Sequence, residues 1–284
     1  MASFASAAPA PGITMLLLVS ILLAAGVLLA SQRYGSRQIV PATGLVCLLS
    51  TLLFDASIGV APLMGLIAGV QIERRATYGQ VVALAVLPAA VLSGWMLITQ
   101  DNQRRSQVGE SLTAQLEIMG MQTEAANHGL HEMVALIVRV QPALQFVTLL
   151  FTAVLAYRTA SWAAPWFNLS LPVERPFRLW RPWDELIWAV IGGLGMWLAS
   201  SGIPRDLGLN IVLVMVVLYA VHGTAVLRYF LQRLGITRLL ELTVYASLFF
   251  TAGVSLILLA GLGLMDTWFD WRRLRPAASE EGTG

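Results

Sequence analysis

Arg139 makes the heaviest demand on its surroundings of any residue in the chain. It stands in the apolar run from about Met133 to Tyr157, with Gln141, Pro142 and Gln145 close behind it. An arginine at that depth costs at least roughly 2.5–3.5 kcal/mol on insertion scales, so it has to face a cavity or a partner. Gln141 and Gln145 share another helical face, and Pro142 leaves a backbone carbonyl unbonded between them. One chemistry for this set is a polar lining for an anionic or hydrogen-bonding ligand. The plainer reading is an arginine that snorkels, or pairs with a carboxylate of a neighbouring helix, and so fixes register. Glu132, seven residues earlier on the same face, is too far away to be that partner.

His222 and Gly223 interrupt a second apolar run, with Asn210 near its start and Tyr219 and Tyr229 flanking them. A histidine there can relay protons near neutral pH. The simpler role is an interhelical hydrogen bond beside a glycine that lets two helices approach closely. Arg139, Gln145, Asn210 and His222 are therefore the candidate ligand-lining residues. A metal site is not expected. Glu124, His128, His131 and Glu132 have spacings of three and four, but Gly129 interrupts them and no established ligand spacing is matched. The lone Cys47 excludes a disulfide and a cysteine cluster. There is no nucleophile–base arrangement, zinc-protease helix, phosphate loop or dinucleotide fingerprint. The expectation is a protein without catalytic residues or cofactor.

A second group of residues reads as structural. Asp266, Asp270 and Arg273 sit where the last apolar run ends. Asp270 can reach Arg273 at i+3, and Asp266 the face of Asp270 at i+4. Upstream, Trp162, Trp166, Trp180 and Trp183 alternate with Arg175, Arg178, Arg181 and four prolines, which prevent a continuous helix. Trp180 and Arg178 are the central pair of this loop. The plainer reading is an interfacial belt, and a docking surface for a partner is compatible with it.

The elements that carry these residues follow from composition. The chain is 57% hydrophobic and only 12% charged, with a mean hydropathy of +0.72. Soluble domains carry about 25% charged residues. All 18 basic residues are Arg, which we read mainly as the coding bias of a GC-rich bacterial genome. The apolar residues gather into about eight runs, near 12–30, 39–54, 58–70, 81–98, 133–157, 186–199, 209–227 and 242–264. This pattern specifies an all-α, polytopic transmembrane helical bundle with interfacial amphipathic segments. A single integral membrane domain is expected over 1–275. It includes a polar amphipathic insert at about 99–129, where Val108, Leu112, Leu116 and Met119 keep helical spacing, and the Arg/Trp-rich loop at about 160–185. Residues 276–284 are expected to be a disordered tail.

No positive charge precedes the first run, so an uncleaved first helix with its N-terminus outside is expected. With eight spans, Arg33, Arg37, Arg74, Arg75, Arg158, Arg175, Arg178, Arg181, Arg228, Arg233 and Arg238 fall on one side, which is then the cytoplasm of a bacterial inner membrane. Arg272, Arg273 and Arg275 fall on the other side, against the rule. The basic balance suits an anionic lipid surface and no nucleic acid.

Three segments carry a family resemblance: Arg175–Trp183 running into Leu186–Trp188, Leu209–Ile211 with Leu218–Val226, and Gly263–Arg273. Over about Val173–Leu274 the chain resembles the YybS-like bacterial membrane proteins. Those are similar, at a distance, to the substrate-binding S components of energy-coupling-factor transporters and to the MreD cell-shape proteins. His222 departs from the pattern, where Gln is expected. The resemblance implies two functions. One is a small-molecule capture or transport subunit whose ATPase is supplied in trans. The other is a non-catalytic membrane scaffold in envelope or cell-shape assembly. Partner membrane or ATPase subunits and the bilayer itself are the implied contacts.

Overall fold

The computed structural model describes residues 11–53, 56–76, 78–99, 124–172 and 176–272. Most of the polar insert, Arg175, Arg273 and the tail lie outside the described residues, as do the side chains of Glu124, His128 and His131. Every regular element described is helical, and no strand occurs among the described residues. The chain divides into two compact units, Met1–Val173 and Glu174–Gly284.

The first unit contains α1 (Pro11–Tyr34), α2 (Ser36–Leu53), α3 (Ala56–Glu73), α4 (Tyr78–Ala85), α5 (Leu87–Thr99) and the 40-residue α6 (Glu124–Ala163). Small residues let these helices pack closely. A Cβ added at Gly65 would collide with the carbonyl oxygen of Ala24, so α3 lies directly on α1. Ala24, Leu28, Ala61, Val81, Ala156 and Tyr157 are buried together around this contact. The α1–α2 turn uses Gly35 at φ 87°, and α3 ties it down from the side. Glu73 accepts from the Ser36 amide and hydroxyl, both at 2.6 Å, and so caps the first turn of α2 with a carboxylate.

Helix α2 shows which solvent this fold is built for. Its buried residues are Ser36, Thr43 and Ser50, one every two turns, while Leu45, Leu48, Leu52 and Leu53 are 58–73% exposed. A soluble helix buries its leucines. This one turns them outward and keeps its hydroxyls inside, as hydrocarbon requires.

The second unit contains α7 (Leu186–Ala199), α8 (Ile203–Arg233), α9 (Arg238–Phe250) and α10 (Ala252–Phe269). Helix α8 is its spine. It buries nine residues, whereas α7 buries only Gly193 and α9 none. Among the described residues, five helical stretches are long and apolar enough to cross a membrane: Met15–Tyr34, Ser36–Leu53, Tyr78–Trp95, Ala135–Phe167 and Ile203–Arg233. A sixth is added if α9 and α10 count as one bent span. The expected helices are present: α3 has 18 residues, Leu186–Ala199 is a shorter apolar helix, and the last run, expected to be continuous, bends by 116°. The bend falls at Thr251, whose hydroxyl bonds back to the Ser247 carbonyl at 2.9 Å and lies 2.7 Å from that of Ser255. Gly253 follows immediately, and both residue types weaken a helix interior.

The Glu73 cap gives a test. Glu73→Ala is expected to lower stability by about 1 kcal/mol, read as a reduced midpoint of unfolding in detergent. An unchanged midpoint would show that the cap contributes nothing.

Candidate functional site

The polar centre of the second unit begins with two glycines. A Cβ at Gly223 would strike the carbonyl oxygen of Leu259, and one at Gly263 that of Tyr219. Helices α8 and α10 therefore meet backbone to backbone. This contact carries His222 and Asp266 toward each other, and both are fully buried. Just past α10, Asp270 takes left-handed angles (φ 42°, ψ 51°) and its amide closes on the Asp266 carbonyl at 3.0 Å. Asp tolerates that conformation better than most residues, and the reversal folds Arg272 back onto the helix it has just left.

Arg272 is the hub. Its Nε and Nη2 donate to Asp266 Oδ2 at 3.1 and 2.9 Å, and Nη2 also lies 2.6 Å from His222 Nε2. Nη1 donates to the carbonyls of Arg178 and Trp180 at 2.8 and 3.1 Å. The Arg272, Asp266 and His222 side chains have no solvent exposure. Guanidinium nitrogens only donate, so toward Arg272 the His222 Nε2 is the acceptor, and the same atom lies 3.3 Å from Asp266 Oδ2. His222 Nδ1 and Asp266 Oδ1 have no hydrogen-bond partner among the described residues. The Trp180 ring meets the imidazole edge-on at 6.1 Å, and Tyr219 lies against it at 6.4 Å.

A second clasp lies alongside. Arg181 pairs with Asp184 at 2.7 Å and with Asp270 at 3.2 Å, and its Nη2 donates to the Thr267 carbonyl at 3.2 Å. That carbonyl belongs to the last turn of α10, where a cation is favourable. Together Arg272 and Arg181 latch residues 178–181 of the Arg/Trp loop to the exit of α10.

The expected residues separate accordingly. His222, Asp266, Asp270, Trp180 and Arg178 come together. Asn210 does not join them: its amide donates to the Asp206 carbonyl at 2.7 Å, and it lies twelve residues, about 18 Å, from His222 along α8. Arg139 and Gln145 belong to α6 in the first unit, Arg139 on an exposed face and Gln145 half-buried. Neither lines the cavity of about 10 Å³ in that unit, whose walls include Ala24, Leu28, Met64, Val81, Ala153 and Tyr157. It is apolar and about the size of one water.

At the exit, Asp270 pairs with Arg181 of the loop, while the Arg273 expected for it lies outside the described residues. Asp266 contacts Arg272 and His222. Arg272 itself had been counted only as one of three interfacial arginines. Its spacing of six from Asp266 matches no helical neighbour relation and becomes a contact only through the turn at Asp270.

The helices and this site define the class: an all-α integral membrane protein with several spans. The chain belongs to the family described as predicted membrane protein (DUF2232), which matches residues 2–267. No curated protein and no solved structure matches it.

Removing one partner from a buried ion pair strands the other charge, at about 3–5 kcal/mol. Arg272→Met and Asp266→Asn are each expected to cause a loss of that order in detergent unfolding. His222→Gln keeps an acceptor for Arg272 and is expected to stay near wild type, whereas His222→Leu should not. Equal losses for Gln and Leu would refute the acceptor role. The eight-span count sends the loop and the exit to opposite faces, but the latch joins them. In a Cys47→Ser background, cysteines at Trp183 and Trp271 should react with an impermeant thiol reagent from the same side of the membrane. Labelling from opposite sides would contradict a shared face.

Proposed function

We propose that this protein is a non-catalytic scaffold of the bacterial cytoplasmic membrane, of the kind its resemblance to MreD implies, and that its Arg/Trp loop is the docking surface. One observation carries this reading. Two arginines of the second unit hold that loop, since Arg272 satisfies the carbonyls of Arg178 and Trp180 and Arg181 grips the end of α10. A loop free to move would otherwise lose conformational entropy on binding a partner. The latch removes that cost in advance.

Affinity purification from membranes tests the reading with two variants. Replacing Arg175, Arg178 and Arg181 by Ser removes the surface, and Asp266→Asn unlatches the loop while leaving its exposed side chains intact. Both should lose partners that the wild type retains. If both keep every partner, the scaffold reading fails.

A second reading has one specific observation in its favour. His222 Nδ1 and Asp266 Oδ1 are buried polar atoms without a hydrogen-bond partner among the described residues, which suits a small polar ligand of a capture subunit working with an ATPase in trans. Native mass spectrometry of the detergent-purified protein would then show a co-purifying small molecule that His222→Gln releases.

A further inference from the structure

The corner where α8 gives way to α9 is not used by the latch. Arg228, Arg233 and Arg238 fall within it, and Arg178 joins them because its Nη1 donates to Gln232 Oε1 at 3.0 Å. The carboxylate of this stretch, Glu241, is occupied by Arg228 Nε and by the Tyr245 hydroxyl, each at 3.2 Å. Arg178, Arg233 and Arg238 are exposed and have no carboxylate partner among the described residues. Beside them Leu234, Leu239 and Leu240 are 74%, 75% and 56% exposed. Helix α9 turns 116° away from α10, so it does not continue the line of that helix, and it buries none of its residues.

Guanidiniums without counter-charge next to leucines without a core ask for one occupant with two properties. A phosphodiester matches the planar donor fork of arginine, in one or two hydrogen bonds. The acyl chains that follow it cover the leucines. A second copy of this chain, packed symmetrically on the same corner, would set arginine against arginine. We propose that the α8–α9 corner is a binding surface for anionic phospholipid. Arg178, Arg233 and Arg238 hold the headgroup phosphates, and Leu234, Leu239 and Leu240 sit in the acyl layer. The surface meets the latch at Arg178, whose carbonyl the latch holds and whose side chain turns to Gln232, and Arg233 and Arg238 test it independently of the scaffold reading.

The test uses the full chain, purified in neutral detergent and titrated with phosphatidylglycerol or phosphatidylcholine, with bound lipid counted by native mass spectrometry. Phosphatidylglycerol should be retained in preference, and each of Arg178→Gln, Arg233→Gln and Arg238→Gln should weaken that retention roughly fivefold. Arg205→Gln, at the far end of α8, should leave it unchanged. Leu234→Ser with Leu239→Ser and Leu240→Ser should reduce retention of both lipids, and glycerol phosphate should not compete. Equal retention of the two lipids would overturn the proposal. So would a triple Gln variant of wild-type helicity that keeps the preference, displacement by glycerol phosphate, or a dimer that depends on the three leucines.

Discussion

A guanidinium enclosed by apolar helices has five N–H donors and no water to satisfy them, so the chain must deliver acceptors to it. The second unit is arranged around that requirement. Arg272 receives a carboxylate from α10, an imidazole from α8 and two carbonyls from the Arg/Trp loop. The rest of the local structure follows from bringing these together. Glycines at 223 and 263 let the two helices approach until Asp266 reaches the imidazole side of α8. The left-handed Asp270 turns the chain so that the arginine points back. The loop makes a 3-10 turn at Phe177–Leu179, and the Arg178 and Trp180 carbonyls are taken by Arg272.

The first unit solves the same solvent problem without charge. Its contacts are alanine and glycine between helices, and its serines and threonines bond their own backbones one turn back, as Ser20, Ser50 and Thr152 do. These three hydroxyls are satisfied within their own helices and impose no register on neighbours, whereas the Ser36 hydroxyl ties α2 to Glu73 at the end of α3. Register there comes from shape, above all from α3 lying on α1 at Gly65. The two units thus represent two ways of specifying helix packing in hydrocarbon, one by close fit and one by a buried polar cluster.

Helices were legible in the sequence because twenty apolar residues in a row permit little else in a bilayer. What they do as spans was less legible, since hydropathy does not register a bend: Leu242 to Leu264 reads as one apolar run, yet Thr251 and Gly253 break it. His222 was found by its chemistry and its glycine neighbour, and the contact it makes is of the interhelical kind its surroundings indicated. Arg272 was missed because its meaning depends on a backbone angle four residues beyond Asp266, and helical spacing rules stop where the helix stops. Arg139 drew attention through its insertion cost, which says that a partner is needed and gives no hint of which one.

The latch also bears on the order in which the second unit comes together. Its bonds join residues separated by 86 to 94 positions, a closure that costs entropy and is made late compared with contacts inside one helix or between adjacent helices. Until α10 has entered the bilayer and turned at Asp270, nothing fixes the Arg/Trp loop in shape. A correctly shaped loop therefore reports that the last helix is in place, and a chain caught partway through insertion would present its partners with a surface they do not recognise.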